Sequence, residues 1–166
     1  MTDAPVLLSL GHGYSARALA QRLIHQGWTV IGTTRTEEKA ARIRETGAEA
    51  VIWPGSDMSS ALERASHVLI SVGPAADGDP VLKDLESSLR RRARAFDWVG
   101  YLSTTGVYGD RAGGWVDEAS DCRPATRRGQ WRLAAEQAWS AIPGLPLHIF
   151  RLAGIYGPGR GPFSKV

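Results

Sequence analysis

Apolar residues gather in short runs separated by stretches where they recur every three or four positions, and this rhythm repeats along the whole chain. Val6–Leu10 is an apolar run ending in glycines and reads as a strand. From Ser15 onward, Ala16, Leu19, Ala20, Leu23 and Ile24 fall at i, i+3, i+4, i+7 and i+8. That spacing puts them on one helical face, with Ser15 as the N-cap and Gly27 as the stop. Residues 28–33 are β-branched and apolar and predict a second strand. A charged helix over residues 37–45 is closed by Gly47, and a third strand over 50–53 stops at Pro54-Gly55. A short helix around 60–65 leads to a fourth strand over 67–72. Asp79-Pro80 has the form of a cap followed by proline in the first helical position, and Leu82, Leu85, Leu89, Ala93 and Phe96 give that helix its buried face. A fifth strand over 97–103 precedes a long loop, 106–124, rich in Gly and Asp. Trp131, Ala135, Ala138 and Ile142 mark one more helix, and Leu147–Leu152 a sixth strand.

Strands alternating with helices imply βαβ units and a parallel sheet. With right-handed crossovers, six strands wind into one doubly wound sheet of order 3-2-1-4-5-6, a three-layer α/β/α architecture. The 166 residues are enough for one domain with a full core, and 43% hydrophobic with 22% charged residues is ordinary for a globular chain. No apolar run reaches the ~18 residues of a membrane helix, and no basic segment precedes the first apolar run as in a signal peptide. The single cysteine, Cys122, excludes an intrachain disulfide, and His12, His25, His67 and His148 are scattered without metal-ligand spacing. The net charge of +3 is spread along the chain, densest at Arg90, Arg91, Arg92 and Arg94 and again at Arg127 and Arg128. These arginines read as solvated helix faces rather than a nucleic-acid patch. The expectation is a cytoplasmic protein with no metal, membrane or nucleic-acid partner.

Candidate chemistry begins at the first turn. Gly11-His12-Gly13-Tyr14-Ser15-Ala16 follows the first strand and opens the first helix. Gly11 suits a tight turn, Gly13 lets the backbone approach a pyrophosphate, and Ala16 lets helix and strand pack closely. The helix that starts here turns free N–H groups and the positive end of its dipole toward phosphates. In this context the pattern is that of a Rossmann fold binding a dinucleotide. At the end of the second strand, where an acidic residue would hold the ribose 2′-OH of NAD, the chain has Gly32-Thr33-Thr34-Arg35. A carboxylate there would repel a 2′-phosphate, whereas Arg35 and the threonine hydroxyls would bind it, so NADP is expected over NAD.

The segment Leu102-Ser103-Thr104-Thr105-Gly106-Val107-Tyr108-Gly109 resembles the S-S-x-x-V-Y-G stretch of extended short-chain dehydrogenases/reductases, the NAD-dependent epimerase/dehydratase family. Arg151-Leu152-Ala153-Gly154-Ile155-Tyr156-Gly157-Pro158-Gly159 is similar to that family's R-x-x-N-V-Y-G-P-G stretch after the sixth strand. The resemblance implies that Thr104 is the catalytic hydroxyl and that Asp57 contacts adenine. It also implies that Val72 and Gly73 line the cofactor, and that Leu152, Ala153 and their neighbours through Ile155 lie near the nicotinamide.

The family's catalytic Tyr-x-x-x-Lys pair is replaced here. Counting back from Glu136, the matching window is Arg128-Gly129-Gln130-Trp131-Arg132, with Arg128 at the tyrosine and Arg132 at the lysine. Arg132 can still supply charge and hold a ribose, but Arg128 stays protonated and is a poor proton donor. Tyr108 is the nearest spare phenol in sequence, a candidate substitute acid or simply a packed loop tyrosine. The resemblance also implies a smaller C-terminal substrate domain beyond the sixth strand, so the chain reads as an atypical, truncated member, leaving the loop 110–124, with Trp115, Asp117 and Glu118, and the tail to meet a substrate. Two functions follow: a dinucleotide-binding protein with weak or altered catalysis, or an active NADP-dependent oxidoreductase or epimerase acting on a small carbonyl or nucleotide-sugar-like substrate. The resemblance implies pairing through helices 80–96 and 127–141, which leaves an oligomer open, although their arginine-rich faces weigh against a dimer.

Overall fold

The computed structural model describes residues 4–161. Six parallel strands form one sheet: β1 (Val6–Leu10), β2 (Thr29–Thr34), β3 (Glu49–Ile52), β4 (His67–Ile70), β5 (Trp98–Thr104) and β6 (Leu147–Leu152). Their order is β3-β2-β1-β4-β5-β6, the predicted doubly wound arrangement. Between them run α1 (Tyr14–His25), α2 (Glu37–Arg44), α3 (Ser59–Arg64), α4 (Pro80–Arg92) and α5 (Arg127–Ser140). The strand order reverses between β1 and β4, and the crevice there is where a sheet of this kind takes a ligand.

Alternation along the strands explains the three layers. Leu7, Val30 and Leu69 point to one face and are buried with Ala16 and Ala20 of α1 and Ile43 of α2. Their neighbours Leu8, Leu10, Ile31, Val68 and Ile70 point to the other face, where Leu62, Leu85, Leu89 and Trp139 cover them from α3, α4 and α5. A strand covered on both faces is apolar at most positions, which is why these strands read as near-continuous runs rather than as alternating patterns. Each fully buried leucine contributes about 1.5–3 kcal/mol. Asp79 caps α4 as expected, its Oδ1 accepting from the Val81 and Leu82 N–H groups at 2.9 and 3.2 Å. Its Oδ2 accepts from the buried Trp139 indole at 3.1 Å, which ties α4 to α5.

Some boundaries differ from the expectation. The N-cap of α1 is Gly13, not Ser15: the Arg17 N–H already bonds the Gly13 carbonyl at 2.9 Å, so Ser15 lies inside the first turn. β4 ends at Ile70 rather than at residue 72. There the Ser71 hydroxyl turns back to the Gly11 carbonyl and the chain leaves the sheet. α5 starts at Arg127, four residues before its first apolar marker Trp131, because the Thr126 side chain caps it through the Gly129 N–H at 3.1 Å. No helix among the described residues is long and apolar enough to cross a membrane.

Candidate cofactor-binding site

The turn after β1 is pinned from both neighbouring strands. The Gly11 N–H donates to Thr33 Oγ1 at 2.8 Å, and that hydroxyl donates to the Ser9 carbonyl at 3.2 Å. The His12 N–H donates to the Thr33 carbonyl at 3.1 Å. From the β4 side, Ser71 Oγ donates to the Gly11 carbonyl. Gly11 has φ +82°, and a Cβ there would meet Val72 Cγ2 at 2.8 Å, so glycine is required twice over. Gly13 differs: nothing lies within 4 Å of where its Cβ would be, leaving the backbone open to a ligand. An exposed glycine backbone leading into a helix N-terminus fits a dinucleotide pyrophosphate. Thr33 is 2% exposed and its hydroxyl is committed to this scaffold, whereas Thr34 is half-buried.

On one side of the loop lies a cleft of about 680 Å³, lined by Gly11, His12, Gly13, Thr34, Arg35, Lys39, Trp53, Val72, Gly73 and Asp84 among others. Arg35 and Lys39 bring two cations to it. Lys39 was missed in the sequence, although its place four residues after Arg35, in the first turn of α2, was the available signal. Asp84 is held by the Trp53 indole, which donates to it at 2.5 Å. Neither ring nitrogen of His12 has a hydrogen-bond partner, although both are buried. The ring packs over Gly32, where a Cβ would come within 2.8 Å of it. Burial, and then the charge of Arg17, lower the His12 pKa and keep the ring neutral. Buried polar atoms without partners at the rim of such a cleft suit a ligand that would pair them.

On the other side lies a cavity of about 280 Å³, lined by Gly13, Tyr14, Ser15, Ala16, Ser71, Thr104, Arg132, Leu152, Ala153 and Arg160 among others. Thr104 and Leu152 are register partners at the ends of β5 and β6. Arg132 reaches over from α5: its Nη1 donates to the Leu102 carbonyl at 2.9 Å and the Tyr101 hydroxyl at 3.2 Å. Its guanidinium also lies over the Tyr101 ring, 5.6 Å from the ring centre. Burial pushes the Tyr101 phenol up to about 12, against the opposing pull of Arg132. Tyr101 therefore serves as a fixed anchor for Arg132. The cofactor candidates Gly11, Gly13, Thr34, Arg35, Val72 and Gly73 gather in the larger cleft, and Tyr14, Ser15, Ala16, Leu152 and Ala153 in the smaller cavity with Thr104 and Arg132.

Three expected residues lie elsewhere. The Asp57 carboxylate accepts from the Ser59 N–H at 3.0 Å and the Ser59 hydroxyl at 2.7 Å, bonds that lower its pKa; it closes the turn into α3 and lines neither space. Arg128 is exposed on the first turn of α5 and borders neither space. Tyr108 is buried, and its hydroxyl accepts from Arg151 Nη1 at 3.0 Å while the guanidinium sits 4.9 Å from its ring centre. It borders a separate space of about 500 Å³ with Asp117, Glu118 and Phe150. The reason is a buried network that the sequence did not announce. Glu136 is 3% exposed; it receives the Ser103 hydroxyl and pairs with Arg151 at 2.8 Å. That carboxylate raises the Arg151 pKa further, and Arg151 in turn holds the Tyr108 hydroxyl. In the loop 106–124, Trp115 is fully exposed. Those tail residues beyond 161 that were expected to meet a substrate lie outside the described residues.

Comparison with known proteins agrees with this fold. A conserved protein of unknown function from Silicibacter pomeroyi DSS has a structure 55% identical in sequence with a TM-score of 0.93, covering 98% of this chain and 57% of that one. Protein YeeZ of Escherichia coli (strain K12) is 30% identical over 168 residues, 92% of this chain and 60% of YeeZ. The chain thus spans about three fifths of the length of these relatives. UDP-glucuronic acid 4-epimerase from Bacillus cereus, solved in complex with NAD, shares the fold at 20% identity and a TM-score of 0.69, covering 92% of this chain and 57% of that one. The family model described as NADP oxidoreductase, coenzyme F420-dependent, matches residues 8–93, from β1 through the end of α4. The chain therefore belongs to the NADP oxidoreductase, coenzyme F420-dependent, family, with an NAD(P)-binding Rossmann fold of the kind found in oxidoreductases and epimerases.

Proposed function

We propose that this chain binds a nicotinamide dinucleotide across the β1–β4 crevice, with NADP preferred, and that its catalysis is weak or altered relative to the epimerase/dehydratase type. The observation that carries the cofactor preference is the pair Arg35 and Lys39 on the larger cleft, with no carboxylate at the end of β2. In this reading the adenosine half occupies that cleft, the 2′-phosphate meets Thr34, Arg35 and Lys39, and the pyrophosphate crosses Gly13. Thr104, Arg132, Leu152 and Ala153 surround the nicotinamide end. A bound nicotinamide would supply the hydride acceptor or donor. Thr104 would hydrogen-bond a substrate oxygen, and Arg132, anchored on Leu102 and Tyr101, would hold the ribose.

The reduced catalysis follows from Arg128 and Arg132 standing in place of a Tyr-x-x-x-Lys pair, while the phenols nearest Thr104 are engaged, Tyr14 with the Pro158 carbonyl and Tyr101 with Arg132. Arg128, exposed and permanently charged, does not replace a phenol, and Tyr108 is tied to Arg151. The family match ends at residue 93, so it supports the cofactor half and leaves the chemistry of β5, α5 and β6 to the site itself. The second reading, an active NADP-dependent reductase or epimerase on a small carbonyl or nucleotide-sugar-like substrate, is favoured by Thr104 and Arg132 sharing one cavity. Calorimetric titration with NADP and NAD tests the first reading: NADP should bind at least about tenfold more tightly, and equal or tighter NAD binding would overturn the preference. Steady oxidation of NADPH in the presence of a carbonyl substrate panel or coenzyme F420 would favour the second.

A further inference from the structure

A turn after β6 lies directly against the phosphate loop, and its contacts are specific. Gly157 and Arg160 exchange backbone hydrogen bonds at 3.1 and 2.9 Å, closing the turn. The Tyr14 hydroxyl donates to the Pro158 carbonyl at 3.1 Å. A Cβ on Gly157 would collide with that same hydroxyl, so glycine there permits the approach. The Arg160 guanidinium stacks over the Tyr14 ring, 5.5 Å from its centre. Tyr14 is a residue of the glycine loop itself, so these contacts fix Arg160 on the rim of the cavity that begins at Gly13 and ends at Arg132. The residues lining that cavity include two arginines and no carboxylate.

We propose that Arg160 is a cofactor-binding residue: with Tyr14 as its platform, it closes over the diphosphate of the dinucleotide from the side opposite the α1 N-terminus. The diphosphate then lies between backbone N–H groups and a guanidinium, the donor whose planar fork matches phosphate oxygens in pairs. This rests on the dinucleotide reading above, and it gives a task to a segment outside the matched residues 8–93. Arg160 acts on the part of the cofactor common to NADP and NAD, whereas Arg35 acts on the 2′-phosphate alone.

The test is calorimetric titration of the chain and of Arg160→Gln, Arg160→Lys and Tyr14→Phe with NADP, NAD and adenosine 2′-phosphate, with thermal unfolding of each variant alongside. Arg160→Gln should weaken NADP and NAD by the same factor, about tenfold, because losing one charge-assisted contact costs on that order. Adenosine 2′-phosphate, which lacks the diphosphate, should bind unchanged. Arg160→Lys should recover part of the loss, and Tyr14→Phe, which keeps the ring but frees the turn from its hydroxyl, should lose less than Arg160→Gln. Unchanged NADP and NAD affinity in Arg160→Gln, or an equal loss for adenosine 2′-phosphate, would overturn the role of Arg160 while leaving the dinucleotide reading intact. Failure of the unaltered chain to bind either dinucleotide would overturn both.

Discussion

The half of the sheet built on β1 and β2 and the half built on β5 and β6 solve the same problem in opposite ways. In the first, glycine backbone shapes the site: Gly11 takes a left-handed turn, the Thr33 and Ser71 hydroxyls pin it from the two neighbouring strands, and Gly13 stays open. In the second, charged side chains from distant segments shape it: Glu136 of α5, Arg151 of β6 and Ser103 of β5 meet in the interior, and Arg132 leans on Tyr101. A backbone-built site tolerates changes in the side chains around it, whereas a site built from a buried charge network depends on each member.

The sharpest break of this comparison is therefore in the second half. Arg151→Met leaves the Glu136 carboxylate buried without its partner and should destabilise the chain by about 3–5 kcal/mol. Urea unfolding would measure it. Adding Glu136→Leu to that variant should recover most of the loss, since a buried ion pair replaced by apolar groups of similar size is often neutral. If the single variant proved as stable as the parent, the network would be ornamental and the contrast between the halves would fail.

Next in size is Gly11→Ala in the first half. A side chain at φ +82° costs about 1–2 kcal/mol, and the 2.8 Å approach to Val72 adds to it. Because the distortion falls on the loop, dinucleotide affinity should drop by far more than the loss of stability suggests, which titration beside thermal unfolding would separate. Arg35→Ala and Lys39→Ala should each weaken NADP by about 10-fold or more and leave NAD unchanged, as expected for contacts to a charged group worth about 1.5–3 kcal/mol. Loss of both cofactors alike would place these cations away from the 2′-phosphate. Tyr108→Phe, which removes only the bond from Arg151, should cost about 0.5–1.5 kcal/mol of stability and leave any turnover intact.

The same contrast explains what could be read in the chain itself. The glycine loop, the Asp79 cap and Arg35 follow from local pattern, because each depends on neighbours within a few residues, and the strand order follows from the alternation of strands and helices with right-handed crossovers. Thr104 and Arg132 sharing a cavity was legible only through motif spacing. The place of Tyr108 was not, because its hydroxyl is held by Arg151, whose partner Glu136 lies fifteen positions away and pairs with it only once β5, α5 and β6 have assembled. Thr33 was read as a phosphate ligand because a hydroxyl's direction along a strand depends on register, and here Oγ1 points back to Ser9 and Gly11.

The smallest effect tests whether the backbone-built half carries one side chain tuned for its ligand. His12 is held neutral by burial, with Arg17 adding to the effect, so its folded pKa lies below the ordinary 6.5. A histidine of this kind contributes stability that is present above pH 6.5 and lost as the pH falls through the folded value, with a slope of at most about 1.4 kcal/mol per pH unit for each proton taken up on unfolding. His67 is lowered in the same sense by burial, opposed by Asp97, so it contributes to the same window. His12→Gln should therefore flatten part of the decline in stability between pH 7 and pH 5, and His12→Gln with His67→Gln most of it. The charge of Arg17 adds to burial in opposing protonation of His12, and an anionic cofactor in the cleft would relieve that opposition. Stability measured with saturating NADP should then decline less steeply over the same range than without it, and should lose that difference in His12→Gln. An identical slope with and without NADP would mean that the imidazole merely fills the space over Gly32, and that the first half of the site is backbone alone.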